Sequence, residues 1–60
     1  MGITRIDVRE YPEFIRIWSK NNDSILQNLI NNGCKTAIEI DFWIFDLTEK
    51  ELTVFLLKWS

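Results

Sequence analysis

The chain has 60 residues, of which 47% are hydrophobic, and it carries a formal net charge of −2, no histidine and one cysteine. This length allows a single domain, residues 1–60, which buries only about 60% of the surface that its unfolded chain exposes. The composition excludes an intrachain disulfide, disfavours a zinc site and lacks the strongly basic balance typical of nucleic-acid-binding domains.

Residues 3–9 predict a β-strand. In the sequence ITRIDVR, β-branched residues alternate with charged ones: Thr4, Ile6 and Val8 on one side, Arg5, Asp7 and Arg9 on the other. A period of two with β-branched residues on one side is typical of a strand that buries one face. We therefore expect the chain to begin with a half-buried strand.

The following segment, residues 12–32, predicts either two helices or one long helix. Pro12 suits the first helical position, where its missing N–H is not needed, and apolar residues then recur at helical spacing. Asn22 or Asp23 is expected to cap the second helix if the segment is divided. Gly33 is expected to end the helical segment, because a C-terminal cap favours a glycine in the left-handed conformation.

The most apolar stretch, KTAIEIDFWIF at residues 35–45, predicts one continuous strand. One face is uniformly apolar and is expected to lie on the helices: Ile38, Ile40, Phe42 and Ile44. The other face carries two acidic and two aromatic residues: Glu39, Asp41, Trp43 and Phe45. A helix is disfavoured, because its apolar residues would surround the axis and leave the two carboxylates without a polar side.

Residues 48–59 predict the last helix. Thr48 and Glu51 have the spacing of a capping box at its N-terminus. An apolar stripe follows: Leu52, Phe55, Leu56 and Trp59. Val54 and Leu57 widen this stripe, and a helix that is apolar over so much of its circumference lies deep in a core or touches a second chain.

The order strand, helix or two helices, strand, helix predicts an α+β fold with a small sheet and helices on one face. A sheet of two strands is marginal by itself. We therefore expect dimerisation, with two copies joining edge to edge to complete the sheet. The alternative fold is an all-α bundle of three or four helices.

The sequence offers little for catalysis. Cys34 has no histidine to act as its base, and its position after a glycine suits a small packing residue. Glu39 and Asp41, two apart on a strand, project to the same side and have the spacing of a metal site or an acid–base pair. The solvated face of a strand explains the two carboxylates better. We expect no enzyme, no metal and no cofactor.

A protein interface is the favoured functional prediction. Trp43 and Phe45 share the predicted face of Glu39 and Asp41, and aromatic anchors rimmed by charge are typical of binding hot spots. The alternative is that Trp43 belongs to the core. The last helix around Trp59 is the second candidate surface.

We therefore expect a non-enzymatic cytoplasmic protein, a homodimer, which docks on another protein as a regulator or inhibitor of the kind found in phages and mobile elements. The alternative is a small DNA- or RNA-binding regulator that uses the basic residues of its first third: Arg5, Arg9, Arg16 and Lys20. A membrane span is not expected, because no apolar run approaches the ~18 residues that cross a bilayer. Surface association is not expected either, because the last helix has only Lys50 and Lys58 as basic residues.

Overall fold

The computed structural model describes residues 2–59 as a three-stranded antiparallel sheet with three α-helices. The elements in chain order are β1 (Ile3–Asp7), a 3₁₀ turn (Val8–Glu10), α1 (Pro12–Trp18), α2 (Ile25–Asn31), β2 (Ile38–Glu39), β3 (Ile44–Thr48) and α3 (Glu49–Trp59). The predicted α+β class is confirmed, and the all-helical alternative is wrong. Within the described part of the chain, no helix is long and apolar enough to cross a membrane.

The sheet has the order β1-β3-β2, with β3 in the centre. In the antiparallel register Ile6 of β1 and Glu39 of β2 both lie opposite Phe45 of β3. Because side chains alternate along a strand, Ile6, Phe45 and Leu47 point to one face, where the helices cover them. The expectation of helices on one face is therefore correct, although one chain supplies three strands rather than two.

The predicted first strand is shorter than expected, since β1 ends at Asp7. The Asp7 carboxylate accepts a hydrogen bond from the Arg9 backbone N–H at 2.9 Å and starts the 3₁₀ turn. Val8 is nevertheless buried, as the alternating pattern predicted. A side chain that bonds its own backbone two residues on is a common way for aspartate to end a strand.

The prediction of one continuous strand over residues 35–45 is wrong, because the chain reverses direction there. A hairpin loop, residues 40–43, separates β2 from β3. The backbone N–H groups of Ile40 and Asp41 donate to the Ile44 carbonyl at 2.9 and 3.1 Å, and the Ile44 N–H donates back to the Asp41 carbonyl at 3.2 Å. The Asp41 side chain also accepts from the Phe42 N–H at 2.7 Å. These bonds fix the loop without glycine or proline.

The predicted faces of that stretch are also reversed. Phe45 is buried in the core with 1% of its surface exposed, whereas Ile38, Ile40 and Phe42 are 56, 46 and 54% exposed. The physical reason lies beyond residue 45: β3 continues to Leu47, which shares the face of Phe45 and is buried with it. Two large apolar residues on one face of the central strand therefore decide which face meets the helices.

The helical segment is divided into two helices. Ser24, rather than Asn22 or Asp23, caps α2, because its hydroxyl accepts from the Gln27 backbone N–H at 3.1 Å. Substituting such a cap by alanine typically costs about 1 kcal/mol. The α1–α2 connection is also held by a side chain, since the Trp18 indole N–H donates to the Asp23 carbonyl at 3.1 Å.

Gly33 ends α2 as predicted. Its φ of 107° lies in the left-handed region, which glycine adopts without a steric penalty. The Cys34 N–H donates to the Leu29 carbonyl at 2.9 Å and the Gly33 N–H to the Ile30 carbonyl at 3.3 Å. This pair of bonds is a Schellman motif, and it turns the chain so that Cys34 enters the core.

The core lies between the inner face of the sheet and the helices. It comprises Ile6, Val8, Phe14, Ile25, Leu29, Cys34, Phe45, Leu47 and Phe55. Phe55 lies at its centre, with the Tyr11 ring edge-on at 4.8 Å and the Phe14 ring at 5.5 Å. Aromatic pairs in these arrangements add about 0.5–1.5 kcal/mol beyond their buried area.

The predicted capping box at the start of α3 is confirmed. The Glu51 carboxylate accepts from the Thr48 N–H at 3.2 Å, and the Glu51 N–H donates to the Thr48 hydroxyl at 3.2 Å. The other carboxylate oxygen of Glu51 accepts from the N–H and the hydroxyl of Thr36, at 2.8 and 2.6 Å. Burial raises the pKa of Glu51, but these hydrogen bonds outweigh it and hold the pKa below its ordinary value of 4.5.

Candidate functional site

Three aromatic rings meet at one corner of the molecule, where the end of α1 faces the hairpin loop. The Trp43 ring lies edge-on to Phe42 at 4.6 Å and to Trp18 at 5.7 Å, and the Trp18 and Phe42 rings are 6.3 Å apart. We call Trp18, Phe42 and Trp43 the aromatic corner. Each ring offers its edge to the face of a neighbour, which is a favourable arrangement for aromatic quadrupoles.

Both supports of the aromatic corner are rigid. Trp18 belongs to the last turn of α1, and its indole N–H is bonded to the Asp23 carbonyl. Phe42 and Trp43 stand on the hydrogen-bonded hairpin loop. Hydrogen bonds thus fix the backbone that carries the corner, although its most exposed ring, Phe42, is about half exposed.

An open groove runs between α1 and Trp43. It has a volume of about 500 Å³ and is lined by Arg9, Pro12, Ile15, Arg16 and Trp43. We call it the apolar groove, because its walls are formed almost entirely by carbon atoms. Its volume falls in the range of about 300–1,000 Å³ that is typical of ligand pockets.

Two guanidinium groups stand at the rim of the apolar groove. Arg9 lies over the Trp43 ring, 5.9 Å from its centroid, and forms an ion pair with Asp7 at 2.6 Å. Arg16 is paired with Glu13 one helical turn away. The hydrogen bonds from the two arginines hold the pKa values of Asp7 and Glu13 below their ordinary range.

Neither guanidinium uses all its donors in these ion pairs. Arg9 and Arg16 each bond their acidic partner through Nε and one terminal nitrogen, while a guanidinium has five N–H donors. Their side chains are more than half exposed. The rim therefore offers hydrogen-bond donors to a ligand that lies in the groove.

Exposed apolar side chains are concentrated on the hairpin that carries Trp43, one of the residues lining the groove. Of the large hydrophobic residues that are exposed in the described chain, Ile38, Ile40 and Phe42 belong to one hairpin, and the others are Ile3 and Leu57. Single exposed apolar residues are ordinary on protein surfaces, whereas clustered ones mark interaction sites. The hairpin is therefore the most conspicuous apolar feature of the surface.

The structure disperses the acidic and aromatic residues that the sequence grouped into one surface. Glu39 and Asp41 are exposed, on β2 and in the hairpin loop, whereas Phe45 is in the core. Trp43 is half-buried between the aromatic corner and the apolar groove. Trp59, the last residue of α3, is also half-buried and packs edge-on against Phe14 at 5.5 Å.

The basic residues of the first third do not form a common unpaired surface. Arg5 is paired with Asp46 on the outer face of the sheet at 2.9 Å, and Lys20 is exposed in the turn after α1. Arg9 and Arg16 meet only at the groove. The structure thus joins Trp43 from one predicted site with two arginines from the alternative one.

Several residues of the candidate site were not recognised from the sequence as surface residues. Ile15 and Trp18 fit the apolar face of the predicted first helix, and Phe42 fits the strand face that is expected to lie on the helices. Asp41 is the signal that could have shown the exposed loop, because aspartate favours turns by bonding its own backbone. Without a glycine or proline nearby, that signal is outweighed by the alternating pattern.

The site has few groups with chemical reactivity. Within residues 2–59, no three cysteine, aspartate or glutamate side chains come close enough to hold a metal ion. Cys34 is buried, and burial, followed by the nearby Glu51 charge, raises the pKa of its thiol to about 11.

Comparison with protein-family models, curated proteins and solved structures finds no match to this chain.

Proposed function

We propose that this chain is a non-enzymatic protein-binding module that docks on another protein through the aromatic corner, the apolar groove and the exposed hairpin beside them. One observation carries the proposal. Ile38, Ile40 and Phe42, each about half exposed, lie within five residues on a hydrogen-bonded hairpin next to an apolar groove.

The exposed hairpin is suited to binding because its apolar surface is available and its backbone is already ordered. Burial of apolar surface in a partner contributes about 25 cal/mol per Å². A surface that is rigid before binding loses little conformational entropy when it docks. The bonds between Ile40, Asp41 and Ile44 supply that rigidity.

The partner that fits best is an extended segment of another protein with a bulky apolar side chain. Such a side chain suits the carbon-lined groove between Ile15 and Trp43. The rim has unused donors on Arg9 and Arg16, and a guanidinium cannot accept hydrogen bonds. Backbone carbonyl or carboxylate oxygens of the segment therefore face the two arginines.

The biological role that we propose is that of a small regulator or inhibitor, which acts by occupying a surface of its target. A chain whose single cysteine is buried and unpaired suits the reducing cytoplasm, where we place the interaction.

The experiment is a pull-down from a lysate of the source cells, run with and without nuclease, in which three baits are compared. The baits are the wild type, Phe42→Asp and the matched control Leu57→Asp, which changes an apolar residue that is 82% exposed on α3. We expect one protein to be retained by the wild type and by the control and to be lost with Phe42→Asp. Circular dichroism of the three baits verifies that all are folded.

Retention of the same protein by Phe42→Asp would contradict the proposed docking surface. Loss of all captured material on nuclease treatment would instead favour nucleic-acid binding through Arg5, Arg9, Arg16 and Lys20. A captured protein is then tested with short peptides from its sequence, which should bind the wild type at least tenfold more tightly than Phe42→Asp.

A further inference from the structure

The two edges of the sheet differ in length. Since β3 is central, β1 and β2 are both edge strands, but β1 has five residues whereas β2 has two. An edge strand presents unpaired N–H and C=O groups that can pair with another strand. The β1 edge is therefore the longer pairing surface, and it lies on the opposite side of β3 from β2.

Hydrogen bonds at both sides of β3 show which β1 groups point to the open edge. The Val8 N–H donates to the Trp43 carbonyl at 3.0 Å, and on the other side of β3 the Ile40 N–H donates to the Ile44 carbonyl at 2.9 Å. Antiparallel strands alternate between bonded and non-bonded residue pairs, so the even-numbered residues of β1 bond to β3. The N–H and C=O groups of Ile3 and Arg5 and the N–H of Asp7 therefore point outwards. The Asp7 carbonyl is the N-cap carbonyl of the 3₁₀ turn, and a carbonyl can accept two hydrogen bonds.

Charged side chains of alternating sign accompany these outward groups. Arg5 bonds Asp46 through Nε and one terminal nitrogen, and its side chain is 61% exposed, so donors remain for another acceptor. Asp7 lies two residues away on the same face and accepts from Arg9. The edge thus presents a guanidinium and a carboxylate at adjacent outward-pointing positions.

We propose that β1 pairs antiparallel with β1 of a second copy of this chain, about a two-fold axis that passes between the two Ile6 residues. Arg5 of each copy then lies opposite Asp7 of the partner subunit. Oppositely charged residues that face each other across two strands stabilise a sheet, and like charges destabilise it. This inference concerns the β1 edge and does not depend on the proposed docking site, with which it shares only the ion pair between Asp7 and Arg9.

Other registers are less favourable. Only outward-pointing residues can exchange backbone hydrogen bonds, so the pairs must join odd-numbered residues of both copies. An axis at Arg5 would place the two guanidinium groups opposite each other, and an axis at Thr4 would place Arg5 opposite Ile3. All three axes satisfy the symmetry of a two-fold interface, and of the three the axis at Ile6 gives two opposite-charge pairs.

The proposed pairing continues an existing row of charges. Across the outer face, Asp46 is bonded to Arg5, Arg5 would meet Asp7 of the partner subunit, and each Asp7 is already bonded to Arg9. The two three-stranded sheets become one of six strands. A second cleft, of about 370 Å³, lies beside this edge between β1 and Tyr11, Leu52 and Leu56, and the added strand lies along its opening.

Amide hydrogen exchange measured by NMR at several protein concentrations tests the pairing directly. The amides of Thr4, Ile6 and Val8 should be protected at every concentration, because their bonds are within one chain. The amides of Arg5 and Asp7 should become protected only as concentration rises. Fast exchange of these two amides at concentrations where the protein is dimeric would overturn the proposal, and so would a protein that stays monomeric at millimolar concentration.

Charge exchange tests the register. Arg5→Glu alone and Asp7→Lys alone each place like charges opposite one another, so each variant should dimerise at least tenfold more weakly by sedimentation equilibrium. An equimolar mixture should recover the dimer, because the carboxylate introduced at position 5 then faces the ammonium introduced at position 7. Lys20→Glu, which changes an exposed charge outside the strand, is the control and should have no effect.

Either of two results would overturn this register. An Asp7→Lys variant that dimerises as well as the wild type would show that residue 7 does not face Arg5. A mixture that remains monomeric, while both variants keep the circular dichroism spectrum of the wild type, would show the same. Recovery in the mixture also shows that both variants are folded.

Discussion

Two regions of this small molecule treat polar and apolar groups in opposite ways. Where α3 begins, the Glu51 carboxylate is taken almost completely inside, with 8% of the residue exposed, and is bonded by Thr36 and Thr48. In the hairpin loop, Asp41 lies outside, and so does the large apolar side chain of Phe42. Both regions are well supplied with hydrogen bonds.

The difference teaches where stability and binding capacity are located. A buried carboxylate is tolerated only when its oxygens are bonded, and it then ties together the segments that donate to it. An exposed apolar side chain on a loop adds little to the free energy of folding, because much of its surface is in water both in the unfolded and in the folded chain. The first region therefore holds the fold, whereas the second is available for contact.

The largest difference in stability is expected between truncation of the buried Phe45 and truncation of the exposed Phe42. Phe45→Ala leaves a cavity in the core and should lower the free energy of unfolding by about 4 kcal/mol. A domain of this length has only about 3–9 kcal/mol in total. Phe42→Ala loses mainly its ring contacts and should cost about 1 kcal/mol. Urea unfolding monitored by tryptophan fluorescence gives both values, and similar costs would contradict the burial of Phe45.

Two glutamates allow a matched comparison of buried and exposed carboxylates. Glu51→Ala removes the capping box and leaves the Thr36 donors without their acceptor, so it should cost about 3 kcal/mol. Glu39→Ala changes an exposed residue and should stay within about 0.5 kcal/mol of the wild type. The same urea experiment measures both. A Glu51→Ala variant as stable as Glu39→Ala would show that the bonds of Glu51 contribute nothing.

Gly33 and Gly2 provide a smaller contrast in backbone strain. Gly33→Ala forces alanine into a positive φ, and the new Cβ would lie 3.0 Å from Cγ1 of Val54, so we expect a loss of about 2 kcal/mol. Gly2→Ala meets only the Glu49 side chain at 3.5 Å or more and should change little. The thermal unfolding midpoints of the two variants measure this contrast. Equal midpoints would contradict the left-handed cap.

The smallest expected effect is the pH dependence of stability. Because the pKa of Glu51 is lower in the folded chain than its ordinary 4.5, its charge stabilises the fold fully above pH 4.5, and this stabilisation is lost as pH falls through the folded pKa. Glu51→Gln should therefore be less stable than the wild type at pH 7, and the gap should narrow towards pH 3. Thermal unfolding curves between pH 7 and pH 3 measure this difference in stability. A difference that does not change with pH would contradict the prediction.

Local signals in the sequence predicted the helices well. Pro12, Gly33 and the Thr48–Glu51 pair each act within a few residues of their own position, and each lies where its chemistry predicts. The α+β class followed from these boundaries together with the alternating patterns of residues 3–9 and 35–45.

The hairpin and the choice of faces could not be obtained in this way. The reversal at residues 40–43 depends on a single turn-forming residue, Asp41, within an apolar run. Which face is buried depends on Leu47 and on pairing with Ile6, about 40 residues earlier in the chain. The apolar groove joins parts of α1 and the hairpin that are distant in sequence, so no local pattern predicts it.

The shortness of β2 has a consequence for how far association can proceed. A sheet with two equally long free edges can accept a new molecule at either end and so grow into a fibre. Here one edge has only two strand residues and continues into a loop folded back on itself, and short edges resist pairing. In the proposed β1–β1 pairing, association through the long edge would therefore close after two molecules, because only the two short β2 edges would remain free.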